Sequence, residues 1–169
     1  MRPEPTDYAE FYANYVSLVP EDDVLSAIET TSSETQKLMA SIDETHGGYR
    51  YAEGKWSVKE VFGHLTDAER VFGYRALCIA RGDQSSLPGY DEQEYMRHAN
   101  FDDWKIGDLS ELYALNRRAN IVFFRNLREE DWKRRGTAND SPVTVCALAF
   151  IIAGHERHHL KVLRERYRV

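Results

Sequence analysis

Apolar positions in this chain recur at spacings of three and four almost throughout and nowhere alternate convincingly, a pattern that predicts helices and no strands. The first helical piece is short, with Tyr8, Tyr12 and Tyr15 on one face ahead of Pro20. A longer helix carries Val24, Ile28, Thr31, Thr35, Leu38 and Ile42 and closes at Gly47-Gly48. Ser57-Val58-Lys59-Glu60 has the form of a capping box, and the helix behind it runs to about Arg81, where Gly82 ends it. A polar loop, residues 83–90, contains Leu87-Pro88-Gly89 and leads into a weaker segment rich in acids and aromatics. Asp108 and Glu111 start a further helix, with Leu112, Leu115, Ala119, Val122 and Phe123 expected to face inward. Gly136 and Asn139 mark the last loop. Ser141-Pro142 reads as the N-cap and first turn of a final helix that continues to about Arg166. Four long helices with short additional ones, and no internal repeat, predict an all-α four-helix bundle in a single domain spanning residues 1–169.

Composition narrows the function classes. A chain of 169 residues can bury a real core. Its formal net charge of −6 argues against binding nucleic acid, which depends on Lys and Arg neutralising phosphates. No stretch approaches the roughly 20 apolar residues of a membrane helix, and the opening M-R-P-E-P-T-D-Y-A-E has no apolar signal core. Cys78 and Cys146 both fall inside helical patterns and suggest no disulfide. The expectation is a soluble, cytoplasmic protein acting on a small molecule, with no membrane partner.

The chemistry is concentrated in the final helix, which contains G-H-E-R-H-H at residues 154–159. At about 100° per residue, His155 and His159 lie about 40° apart, in the same stripe as Val145, Leu148, Ile152 and Leu163. Two inward imidazoles at i and i+4 are a natural pair of metal ligands, or else two core histidines satisfied by hydrogen bonds. Burial among apolar neighbours without a partner is costly, so a third ligand would decide between them. His64 offers one, at the edge of the arc formed by Val61, Leu65, Ala68, Phe72, Ala76 and Ile79. His46 and His98 stand in less suitable stretches.

H-E-x-x-H is also the zinc-peptidase signature, with Glu156 as general base. Only residues 160–169 follow it, without a further histidine, and no strands are predicted, so that reading is disfavoured. Glu156-x-x-His159 is half of a di-iron carboxylate motif whose second half the chain lacks.

Together, E-G-K-W-S-V-K-E-V-F-G-H-L-T-D-A-E-R at residues 53–70 and G-H-E-R-H-H at 154–159 resemble the DinB-like (YfiT-type) superfamily, and the likeness extends over nearly the whole chain. The resemblance implies a four-helix bundle, commonly dimeric, with a divalent metal held by the residues at the matching positions: His64, His155 and His159. It also implies a relationship to transferases and isomerases that use bacillithiol, mycothiol or glutathione, although many members have no known activity.

An open position on such a metal could activate water or hold a thiol as thiolate; the resemblance favours the thiol, with hydrolysis or a non-catalytic, sensing role as alternatives. Imidazole suits zinc, nickel, iron and copper alike, with zinc and nickel the first expectations. Glu156 and His158 are candidates for proton transfer or ligand orientation, and Arg75, on nearly the same face as His64, for holding an anionic thiol cofactor; each has an equally ordinary surface or packing role. Glu60 and Asp67 could support His64, and Tyr113 and Asn116 could line the cavity. Residues 143–152 are apolar nearly all round, with Cys146 and Phe150 opposite the histidine face, which predicts a covering partner and hence a homodimer.

Overall fold

The computed structural model describes residues 2–169. Four long helices form a bundle: α2 (Val24–Ser41), α4 (Val58–Ala80), α6 (Ile106–Arg125) and α8 (Val145–Val162). Short pieces connect or flank them: α1 (Ala13–Ser17), α3 (Glu44–Gly47), α5 (Glu92–His98) and α7 (Glu129–Lys133). The packed pairs are α4 with α8, α2 with α6, α4 with α6 and α2 with α8, so α2 stands opposite α4 and α6 opposite α8. α1 packs along α8. No helix among the described residues is long and apolar enough to cross a membrane.

The helix starts follow from their caps. Asp23 accepts from the backbone N–H groups of Leu25 and Ser26 to open α2. The box predicted at α4 is complete: the Ser57 hydroxyl accepts from Glu60 N–H while the Glu60 carboxylate accepts from Ser57 N–H at 2.6 Å. α4 closes at Arg81, followed by Gly82 at φ +82°, a conformation that favours glycine.

The final helix starts later than the sequence suggested. Ser141–Thr144 is a strand, β3, paired antiparallel with β2 (Arg135–Ala138), and β1 (Ser86–Leu87) adds parallel to β2. The hairpin turns on Asn139 and Asp140, both left-handed at φ 50° and 56°, which is the two-residue geometry that matches strand twist. Thr144 caps α8 instead of Ser141, accepting from Ala147 N–H. The all-α bundle therefore carries a small three-stranded sheet at one end.

α6 also presents a different face to the core. Ile106, Leu109, Tyr113, Arg117 and Phe124 are buried, whereas Leu115 is 61% and Val122 50% exposed. Ala119 is exposed as well, and Leu112 and Phe123 are half-buried. The inward position of Arg117 accounts for the rotation, because a buried guanidinium must meet its carboxylate partners.

The covering of α8 is supplied by this chain. Val16, Val19, Tyr8 and Tyr12 share a cluster with Cys146 and Phe150, and the Arg2 guanidinium lies 5.4 Å from the Phe150 ring centre. The apolar face that suggested a second copy is therefore closed by the N-terminal segment. The approach is close at Gly154, where a Cβ would stand 1.9 Å from the Tyr15 carbonyl oxygen. We expect Gly154→Ala to destabilise the fold by at least about 1–3 kcal/mol in denaturant titration, because the clash is with backbone. Gly107→Ala, with nothing within 4 Å of the new Cβ, serves as the harmless comparison.

Candidate metal centre

The apolar core is in two parts. One joins the N-terminal half of α8 to the C-terminal half of α4; the other joins the first turns of α4 and α6 to Leu163 and Tyr167. Between them lies a polar waist, and the candidate site is half of it. His64 projects from the second turn of α4, and His155 and His159 from consecutive turns of α8. The three Nε2 atoms converge: His64 to His155 is 3.0 Å and His159 to His155 is 3.2 Å, with no two ligand atoms more than 4.8 Å apart. Trp56 lies 4.8 Å from the His64 ring, and Tyr15 and Phe72 pack edge-on against His155 at 5.2 and 6.0 Å.

Burial keeps these rings neutral. It lowers the His64 pKa to about 4; burial followed by the neighbouring histidines holds His155 and His159 well below the ordinary value. A neutral imidazole offers each nitrogen as either one N–H or one lone pair, and the Nε2 of His155 faces two others at once. A cation satisfies three converging lone pairs together. An ion about 2.0–2.1 Å from two nitrogens in tetrahedral geometry sets them roughly 3.3 Å apart, close to the spacings here. The donor set fits a divalent metal.

The other half of the waist is ionic. Glu156 follows His155 and so points about 100° away around the helix, to a side where it is 1% exposed. Its Oε1 accepts from the Thr35 hydroxyl at 2.5 Å and from the Tyr113 hydroxyl, and its Oε2, without an aligned hydrogen bond, stands 2.6 Å from an Arg117 nitrogen. Arg117 also donates to Glu69 at 2.8 Å, and Asn120 donates to Glu69 at 3.0 Å. Burial pushes the Glu156 carboxyl up, opposed by Arg117; Glu156 and Glu69 outweigh burial to hold Arg117 charged.

A cavity of about 480 Å³ reaches His155. Tyr12, Tyr15, Phe72, Tyr90, Arg75 and Asn139 form its walls, with Asp91 and Glu92 also on its lining. The sheet fixes one side. Asn139 N–H donates to Leu87 O, Gly89 is so close to Asn139 that a Cβ would stand 2.1 Å from its side-chain oxygen, and Pro88 O accepts from Arg75 at 2.6 Å. Burial, then Glu92, raises the Tyr15 and Tyr90 phenols, so both keep their protons.

The structure brings His64, His155 and His159 together as the sequence suggested. Arg75 reaches the cavity and is buried rather than a surface ion pair. His158 is half-buried on the outer side, edge-on to Tyr15 at 5.5 Å, beside Lys161 at a separate surface cavity. The other suggestions are engaged elsewhere: Glu156 and Tyr113 in the ionic half-waist, Asn116 on Thr66 O, Glu60 in its cap and on Arg50. Asp67 lines a different cavity, with Arg70 and Leu112. The sequence points to Tyr12, Tyr15 and Phe72 only as helix-face residues and to Tyr90 and Asn139 only as members of loops near the pocket, so the aromatic wall was missed; the A-N-D-S turn was the one signal for Asn139.

Comparison with known proteins agrees with the fold and shows the family. A family model described as the DinB superfamily matches residues 27–163. OB0413 of Oceanobacillus iheyensis, provisionally named a metal-dependent hydrolase, is 22% identical over 137 residues, covering 80% of this chain and 79% of that protein. YfiT from Bacillus subtilis, described as a probable metal-dependent hydrolase with an unusual four-helix bundle topology, superimposes with a TM-score of 0.78 at 17% identity, over 87% of this chain and 85% of that one. A mycothiol-dependent maleylpyruvate isomerase matches at a TM-score of 0.68 and 13% identity; 86% of this chain covers 61% of that longer one. At these identities the structural likeness establishes the fold.

The buried imidazoles carry a pH signature. A histidine whose folded pKa is depressed costs nothing above its unfolded value, because both states are then neutral; below it the unfolded state takes up protons that the folded state refuses. Metal-free protein should thus lose stability as pH falls from about 6.5 towards 4, by roughly 3 kcal/mol from His64 alone. Thermal melts of the chelator-treated protein across that range check this, with His64→Ala flattening the slope.

Proposed function

We propose that this chain, which belongs to the DinB superfamily, is a metal-dependent enzyme that joins a low-molecular-weight thiol to a small electrophile at His64, His155 and His159. The convergence of three neutral imidazoles, two buried and His159 half-buried, beside a cavity large enough for a small molecule carries the reading. A divalent ion held by the three would supply Lewis acidity and favour the ionised form of a thiol at neutral pH.

The chain's own residues do the rest. Tyr12, Tyr15, Phe72 and Tyr90 give aromatic walls that exclude water, and the Tyr15 and Tyr90 hydroxyls, still protonated, can donate to charge that develops on a leaving group. In the transfer the sulfur forms a bond to the electrophilic carbon, the leaving group departs with the bonding electrons, and the thiol proton passes to solvent.

Hydrolysis is the second reading, favoured by the names of OB0413 and YfiT. One observation weighs against its peptidase-like form: Glu156, the residue that would activate water in H-E-x-x-H, is turned away from the histidines and held by Arg117.

Purified protein should hold about one divalent ion per chain by elemental analysis, and His64→Ala should weaken retention at least tenfold. Trp56, against His64, should report loading by fluorescence quenching with nickel or copper. Zinc- or nickel-loaded protein should accelerate conjugation of bacillithiol, mycothiol or glutathione with 1-chloro-2,4-dinitrobenzene at least tenfold over His64→Ala. Failure to bind any divalent ion would overturn the metal reading. Thiol-independent cleavage of p-nitrophenyl acetate, without conjugation, would move the assignment to hydrolase.

A further inference from the structure

Two arginines are buried in this protein to nearly the same depth, Arg117 at 2% and Arg75 at 3% exposure, and they are treated differently. Arg117 has two carboxylates, Glu69 and Glu156. Arg75 donates to one carbonyl, Pro88 O, and lies 5.8 Å from the Phe72 ring centre. No carboxylate among the described residues stands within the 4.0 Å of an ion pair with it. Removing a cation from water without an anion costs several kcal/mol, so a site that maintains one is built for a charge that arrives with a ligand.

The surroundings say which charge. Arg75 lines both the 480 Å³ cavity that reaches His155 and a second cavity of about 280 Å³ lined also by Tyr74, Leu87, Tyr90 and Arg70. His155 packs on the same Phe72 ring, at 6.0 Å, so guanidinium and imidazole share one aromatic neighbour in the cavity wall. The walls are aromatic. Asp91 and Glu92 line the first cavity; the Asp91 carboxylate accepts from Gln93 and Glu94 N–H at the start of α5, and Glu92 is exposed. One guanidinium facing two acids suits a single negative charge better than two.

We infer that Arg75 is the recognition site for a carboxylate on the substrate, a small molecule with an apolar or aromatic body whose reactive end reaches His155. The inference rests on the metal-centre reading for what happens at that end, but carboxylate binding at Arg75 is independent of it. A planar guanidinium offers a carboxylate two parallel N–H donors, which an amide or an ammonium does not reproduce.

Benzoate, its neutral isostere benzamide, and phenyl phosphate are the probes, titrated calorimetrically against zinc-loaded and chelator-treated protein. Benzoate should bind at least tenfold more tightly than benzamide in both forms, and phenyl phosphate no more tightly than benzoate. Arg75→Gln should abolish the preference for benzoate with metal content unchanged. Arg75→Lys retains charge without the fork and should keep only part of it, which tests the inference if the glutamine variant does not fold. Glu92→Gln should tighten benzoate. Equal binding of benzoate and benzamide, or a preference that survives Arg75→Gln, would overturn the inference. A preference present only with zinc and lost in His64→Ala would place the carboxylate on the metal instead. A chain that binds no metal yet prefers benzoate through Arg75 would remove the metal reading and leave this one standing.

Discussion

The interaction on which the bundle depends is the ionic contact of Glu156 and Glu69 with Arg117 at the waist of the core. Burying two carboxylates and a guanidinium is expensive, and the cost is offset only when all three meet with their remaining atoms hydrogen-bonded. That condition fixes the rotation of α6 about its axis, the register of α4 against α6, and the side of α8 that faces Thr35 on α2. His155 is the residue before Glu156. Once Glu156 points to Arg117, His155 must point about 100° away around the helix, towards α4 and His64. The geometry of the histidine cluster is thus partly set by charges that do not touch it.

This explains what could be read in the sequence and what could not. Helix α4 was legible because cap, apolar stripe and stop agree with one another, whereas α2 was legible by its apolar stripe alone: it stops at Ser41, and the Gly47-Gly48 expected to close it ends the separate α3. The histidine cluster was legible because i, i+4 spacing is local and only one further inward histidine was needed. The inward face of α6 was not, because Leu112, Leu115, Ala119 and Val122 form a better apolar stripe than the one that is buried. The choice was made by Arg117, whose partners lie 48 and 39 residues away in sequence, beyond any local period. Ser141-Pro142 misled for a related reason. It has good helix-start chemistry, but the two-residue turn at Asn139-Asp140 folds it back on β2 first, and Thr144 offers the next cap three residues later.

The glutamate between the two histidines has a different role from the one its motif suggests. In a peptidase helix the Glu of H-E-x-x-H shares the metal's side with the histidines. Here α8 is buried on three sides: by α4 and the histidine cluster on one, by α2 and the α6 network on another, and by the N-terminal segment on the third. A carboxylate on such a helix needs a buried cation, and Arg117 supplies it. The same short motif is therefore compatible with two chemistries, and the helix packed opposite decides between them.

The parts of the site have different origins along the chain. The three histidines, Arg75 and the hairpin that carries Asn139 fall inside residues 27–163, the segment matched by the family model. Tyr12 and Tyr15 fall before it, on the segment that also seals α8 at Gly154. That segment performs two tasks with one set of contacts, since the close approach of the Tyr15 backbone to Gly154 is what brings the Tyr15 ring against His155. The histidine cluster assembled by the bundle can persist while the part of the wall formed by Tyr12 and Tyr15 changes, because that part is held by α8's outer face and not by the waist. In the reaction proposed above, selectivity for the body of the substrate would then fall largely to the N-terminal segment and recognition of its charge to Arg75, while the reactive end would stay with the histidines.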